Sequence, residues 1–235
     1  MGLVPSIRSF IDSLWAVAAE LAKEHAAGAS GARSSRRKTL GQQRRAAVEA
    51  SRVSTSLRWL RAFLRRWLGR TVGIRDWNGE STLTLTCDAS PWGLGATLAR
   101  GGRLVACLHD SISLEDADRL GIVVGSCKSQ AIVEALAVVV ALRTWLPTWG
   151  VHRTRIVVRS DSSAALGALG KLASPCRAIN RIAREVGLDI ALSTYGVDAW
   201  EHVRGAENTL ADYLSRLCEP GCRASTPDGL RGVPG

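Results

Sequence analysis

Four acidic residues of this chain stand where a carboxylate is out of place. Asp88 ends the alternating run TLTLTCD, and Glu134 sits inside the apolar stretch AIVEALAVVVAL. Asp161 closes RIVVRSD, and Asp212 falls within NTLADYLSRL. Taken singly, three of them have ordinary readings. Asp88 is a turn former before SPWGLG, Asp161 a helix cap before Ser162 and Ser163, and Asp212 a partner for a helix dipole. Glu134 resists such a reading, because a lone Glu in so apolar a helix is a buried charge without compensation. Taken together the four can meet. Neighbouring strand ends bring Asp88 and Asp161 close, and a helix laid across the sheet can aim Glu134 at the same rim. Like charges within a few ångström cannot all ionise unless a cation compensates them. Oxygen-only ligands suit Mg2+, or Mn2+, and a pair of such ions suits phosphodiester hydrolysis.

The elements that must position these acids can be read from periodicity. Thr82–Asp88 alternates as a strand and turns through SPWGLG into a second strand at Ala96–Arg100. Gly101-Gly102 starts a hairpin return along GGRLVACL. CKSQAIVEALAVVVALRTWL reads as a long apolar helix stopped by Pro147. RIVVRSD is a strand, and SSAALGALGKL and PCRAINRIAREVGL are helices, the second with Ile179, Ile182 and Val186 inward. YGVDAWEHV is a last strand and NTLADYLSRL a last helix capped by Asn208. Three antiparallel strands followed by a strand reached through a helix imply a mixed sheet in an α/β fold.

Ahead of this region the texture differs. SIRSFIDSLWAVAAELAKEHA has Ile7, Phe10, Ile11, Leu14 and Trp15 at helical spacing, and AGASGARSSRRKTLGQQRR reads as a flexible basic linker. SLRWLRAFLRRWLG is a helix with Ser56 as N-cap and Gly69 as stop, its apolar stripe flanked by Arg58, Arg61, Arg65 and Arg66. The formal charge of the 235-residue chain is +10, and residues 1–75 hold 15 Lys and Arg against four acids. The basicity therefore belongs to the N-terminal third, and its arginines suit bidentate contact with phosphate. An amphipathic membrane-surface helix is the rival reading of LRWLRAFLRRWL.

Other features bound the class. At 46% hydrophobic residues the chain can bury one sizeable core plus something smaller. The cysteines at 87, 107, 127, 176, 218 and 222 lack the spacing of a closed zinc site and read as free thiols in a reducing compartment. No apolar run reaches membrane-spanning length, and no signal-peptide pattern opens the chain, which points to an intracellular protein in the cytoplasm or nucleus.

TCDASPWGLGATL, SQAIVEALAVVVAL, VVRSDSSAAL and EHVRGAENTLADYLSRL resemble, in order, the four acidic blocks of ribonuclease H. The version is that of retrotransposon polyproteins, where the domain follows a reverse transcriptase. The resemblance spans Thr82 to about Leu217, and the last block is its most specific part. It implies a mixed five-stranded sheet flanked by helices over residues 76–218, a basic helical connector over 1–75, and a flexible tail over 219–235. It implies cleavage of the RNA strand of an RNA–DNA hybrid with two Mg2+ ions, held by Asp88, Glu134, Asp161 and Asp212. Asp88 would bridge both ions, Asp212 would serve the ion that activates water, and Glu134 the ion near the leaving oxygen. Ser90, Gln130, Ser162 and Asn208 fall where substrate contacts are expected, and a reverse transcriptase domain or subunit is the implied partner. The family's mobile His-bearing loop is shortened here, so His202 is expected to be structural. A catalytically inactive nucleic-acid-binding module and an integrase- or transposase-type enzyme are the alternatives.

Overall fold

Alternation decides the central strand. In TLTLTCDA, Leu83, Leu85 and Cys87 are buried in the main apolar cluster, while Thr84, Thr86 and Asp88 point to the opposite face. This segment is β1 (Thr82–Ala89), followed by β2 (Gly93–Arg100) and β3 (Arg103–Ser111). The structure is a computed structural model that describes residues 40–67, 82–149, 154–192, 195–223 and 225–234, together with Leu14 and Ala19. The chain divides into two units, Met1–Thr71 and Val72–Gly235.

In the second unit the sheet has the order β3-β2-β1-β4-β5, with β4 at Thr154–Ser160 and β5 at Tyr195–His202. β1 pairs antiparallel with β2 and parallel with β4, and β4 pairs parallel with β5. The mixed sheet with an antiparallel first half and flanking helices is the fold the sequence predicted. α3 (Gln130–Thr144), α5 (Ser163–Lys171) and α6 (Arg177–Leu192) bury Leu136, Val138, Leu169, Ile182 and Val186 in one cluster with the inward residues of β1 and β4. α7 (Thr209–Arg216) packs against β2 and β1 on the other face.

Several expectations are corrected. Leu114–Leu120 forms a helix (α2) that the apolar pattern had not suggested, because its signals are polar. The Ser113 hydroxyl caps it by accepting from Asp116 N, Glu115 and Asp116 fill its first turn, and Gly121 ends it in the left-handed region at φ 68°. Pro147 does not stop the long helix: α3 ends at Thr144, and Pro147 lies in the first turn of the short α4 (Leu146–Trp149), where its missing N–H costs nothing. The segment beyond residue 218 is not a free tail. Leu230 is buried, Tyr213 donates to the Thr226 hydroxyl, and Cys107 N donates to the Pro234 carbonyl at 2.9 Å, so the segment covers part of the open edge of β3.

In the first unit, α1 runs over Leu40–Trp67. Ser56 is therefore buried mid-helix rather than an N-cap, since the stretch after Gly41 has no Gly or Pro to break it. The last residues of the expected linker are helical too. Of the expected first helix only Leu14 and Ala19 are described, and Gly69 lies outside the described residues.

Candidate active site

β1 and β4 run parallel, and their last paired rung is Thr86 with Arg159. Asp88 and Asp161 lie two residues beyond that rung, so both acids emerge at one rim of the sheet. Ser162, not Asp161, caps α5 by accepting from Ala165 N, which leaves the Asp161 carboxylate unclaimed by the helix. Glu134 projects from the second turn of α3 toward the same rim. One carboxylate oxygen from each of Asp88, Glu134 and Asp161 lies within 4.8 Å of the other two.

The glycines of SPWGLG explain how a helix can lie over this rim. Asp88 stands opposite Gly95 in the antiparallel pair, so the two share a face. A Cβ on Gly95 would lie 2.2 Å from the Ala211 carbonyl oxygen and 2.4 Å from Ser215 N. One on Gly93 would lie 2.7 Å from the Ser215 carbonyl oxygen. The backbone of α7 thus rests on the backbone of β2, and its buried side chains reach Asp88. Ser215 Oγ donates to Asp88 Oδ2 at 2.9 Å, and Asn208 Nδ2 lies 3.3 Å from Oδ1. Ser215 Oγ is equally near the Asp212 carbonyl, but its single proton favours the charged acceptor.

Electrostatically the trio is under-compensated. Asp88 and Glu134 are only 4% and 5% exposed. Burial, and then the charge of Asp161 and Asp212, pushes the Asp88 carboxyl up to about 7 against the pull of the Ser215 hydrogen bond. Burial and the charge of Asp88 push Glu134 up to about 8. Gln130 Nε2 donates to Glu134 Oε1 at 2.9 Å, whereas Glu134 Oε2 is buried with no hydrogen-bond partner among the described residues. A hard divalent cation would satisfy that orphaned oxygen and relieve the crowding of three carboxylates. The donor set fits one such ion.

Asp212 differs from the other three. It stands close enough to raise Asp88, yet it is not a member of the close group. Its Oδ1 accepts from Arg216 Nε at 2.7 Å, one helical turn away.

The residues expected to touch substrate have hydrogen-bond partners within the protein. Ser90, buried, donates to the Ser215 carbonyl at 2.7 Å and accepts from Gly93 N, tying the β1–β2 turn to α7. Asn208 makes no side-chain cap; it donates to the Cys87 carbonyl and faces Asp88. Gln130 bridges Glu134 and the Ala89 carbonyl. Ser162 is a helix cap. Ser90 and Asn208 are buried, Gln130 and Ser162 half-buried, so backbone groups and carboxylates of the protein are the partners at hand. His202 ends β5, with Nε2 3.0 Å from the Asp161 carbonyl, which marks that nitrogen as the donor and anchors the loop carrying the acid. Ser215 and Arg216 were not anticipated as site residues. The sequence signal was their spacing, three and four residues after Asp212, on the helix face that turns back to it.

Neither a protein-family model nor a curated protein matches the chain. Solved structures do. The chain is similar to RNase H1 of the halophilic archaeon Halobacterium salinarum at 20% identity and a TM-score of 0.42, over 58% of this chain and 94% of that one. LC11-RNase H1 in complex with RNA/DNA hybrid aligns at 13% identity and a TM-score of 0.45, over 57% and 93%. The foamy viral protease-reverse transcriptase in complex with dsDNA aligns at 15% identity and a TM-score of 0.28, over 87% of this chain and 42% of that one.

Proposed function

We propose that the Val72–Gly235 unit is a divalent-metal-dependent endonuclease that hydrolyses the RNA strand of RNA–DNA hybrids, working in an intracellular retroelement reverse-transcription apparatus. The observation that carries this reading is the buried carboxylate trio Asp88, Glu134 and Asp161 with its orphaned Glu134 oxygen. Three acids crowded without a cation destabilise a fold, and a module that only bound phosphate would gain nothing from them. The ligand set would be these three acids with Asp212 beside them, and Mg2+ or Mn2+ the ion. Such ions neutralise a phosphate in flight and acidify water. The chain's own groups prepare the place. Ser215 and Asn208 orient Asp88, Gln130 orients Glu134, and His202 fixes the backbone at Asp161. RNA would be chosen through its 2′-hydroxyls in the wide minor groove of the hybrid.

The reverse transcriptase context rests on the sequence resemblance and the basic N-terminal part. Arg58, Arg61 and Arg65 are exposed at three- and four-residue spacing along α1 and form a strip suited to a phosphate backbone. The side chain of Arg66 lies outside the described residues. Among the described residues no helix is long and apolar enough to cross a membrane.

The test is direct. Full-length chain with Mg2+ or Mn2+ should cut the labelled RNA strand of a hybrid and leave DNA duplex intact, and Asp88→Asn should abolish cutting. Full activity in Asp88→Asn would end the reading. A hybrid-binding module without catalysis is the second reading, favoured by one observation, the engagement of Asp212 by Arg216. Tight hybrid binding with no cleavage in either metal would select it.

A further inference from the structure

The acids of the rim fall into two electrostatic classes. Asp88, Glu134 and Asp161 group together, with one Glu134 oxygen unpartnered among the described residues, while Asp212 stands outside the group with its Oδ1 2.7 Å from Arg216 Nε. A guanidinium cannot give up its charge at any working pH, so it is a permanent cation in contact with this carboxylate. It is also replaceable: the side chains of Arg216 and Asp212 are 55% and 42% exposed, and exposed pairs are held weakly.

We propose that Arg216 is an internal counter-ion that occupies Asp212, so that this chain takes up divalent ions in two unequal steps, first at the Asp88–Glu134–Asp161 group and only then, in competition with Arg216, beside Asp212. The inference rests on the metal-dependent reading above and deepens it. The geometry gives the order. The trio already brings one oxygen from each acid within 4.8 Å of the other two, and Glu134 carries an oxygen with no hydrogen-bond partner among the described residues. Asp212 already shares its charge with Arg216 through a charge-assisted hydrogen bond at Oδ1, so an added cation there binds a partly neutralised carboxylate and must tolerate a guanidinium nearby. Ser215 keeps the two sites distinct. It donates to Asp88 from the turn of α7 that carries Arg216, so the helix can hold Asp88 while Asp212 changes partners.

Mn2+ binding to the full-length chain, followed by the electron-paramagnetic signal of the free ion and by calorimetry, tests this without any turnover. The wild type should show a tighter and a weaker Mn2+. Arg216→Gln should tighten the weaker step roughly two- to fivefold, the range expected for freeing a carboxylate from an exposed pair, and change the tighter step less, since Arg216 reaches Asp88 only through its charge. Asp212→Asn should abolish the weaker step and spare the tighter one. Urea unfolding of each variant separates these effects from loss of the fold. Two binding steps that Arg216→Gln leaves untouched would overturn the counter-ion role alone, as would a loss confined to the tighter step. Absence of any Mn2+ binding in the folded wild type would overturn the metal reading and this inference with it.

Discussion

Two helices bring acids to the same rim and hold them in opposite states. α3 is apolar nearly all round, and its one acid, Glu134, is buried with an oxygen left over. α7 is amphipathic, and its Asp212 is half-exposed and already paired with Arg216. Identical chemistry thus leaves a buried carboxylate without a countercharge among the described residues on one helix and a half-exposed one beside a guanidinium on the other. The cause lies in the surroundings. A helix that fills a core has no room for a counter-ion of its own, so any cation for Glu134 must come from outside the chain. A helix lying on a sheet face keeps one side in water, where a neighbour four residues on can serve. The contrast teaches that charge without a partner, rather than charge as such, marks the functional end of this site.

The largest effect expected from that contrast is on cleavage. Glu134→Gln and Asp88→Asn should lower hybrid cleavage by on the order of a thousandfold or more, because each removes a negative charge from the crowded group that a cation would compensate. Asp212→Asn should cost clearly less, on the order of tenfold to a hundredfold, since that carboxylate is shared with Arg216. Single-turnover rates with labelled hybrid measure both. Equal losses at Glu134 and Asp212 would erase the distinction between the helices.

Next in size is the seating of α7. Gly95→Ala would put a methyl 2.2 Å from the Ala211 carbonyl oxygen, backbone that cannot yield without shifting the helix. Overpacking of this kind costs about 1–3 kcal/mol, and here the shift also pulls Ser215 and Asn208 from Asp88. Urea unfolding and Mn2+ affinity should therefore fall together. Gly167→Ala is the control, because a Cβ there meets nothing within 4 Å.

How much of this was legible beforehand follows the same division. The strands and the carriers of the trio were readable because alternation in TLTLTC and the apolar run around Glu134 are strong signals, and an acid that interrupts such a pattern is conspicuous. The partners that Ser90, Asn208 and Gln130 find within the protein were not readable. Sequence places them beside the acids, but only the packing of α7 and α3 decides whether a polar side chain faces outward to a substrate or inward to a carboxylate. α2 was missed because polar capping, not apolar periodicity, defines it. The docking of the C-terminal segment hangs on Leu230, Thr226 and the Pro234 carbonyl, none of which announces itself in a stretch rich in Gly and Pro.

A third effect concerns stability without metal. Folding raises the Asp88 and Glu134 carboxyls to about 7 and 8. The folded state therefore binds more protons than the unfolded chain between about pH 4 and pH 8, and stability must fall as pH rises through that window. Below the unfolded carboxyl range the penalty is absent; above pH 8 it is complete. Chelator-treated protein should lose melting temperature between pH 5 and pH 8, and saturating Mg2+ or Mn2+ should remove most of the slope. Asp88→Asn or Glu134→Gln should stabilise the metal-free protein at pH 8 by on the order of 2 kcal/mol, while destroying activity. A flat metal-free profile would mean that the trio already has a compensating charge.

The smallest effect sharpens the contrast most. Arg216→Gln removes an exposed pair one turn apart, which is worth about 0–1 kcal/mol and weakens further in salt. Its unfolding free energy should stay within about 1 kcal/mol of the wild type, and the difference should shrink in high salt. Asp212→Asn should likewise bring none of the gain at pH 8 that Glu134→Gln brings, because it removes a charge that already has its partner. Denaturant unfolding of the two Asn and Gln variants side by side, at pH 8 with chelator, reads this directly. If Asp212→Asn stabilised the protein as much as Glu134→Gln, Arg216 would not be neutralising that carboxylate, and the two helices would be alike after all.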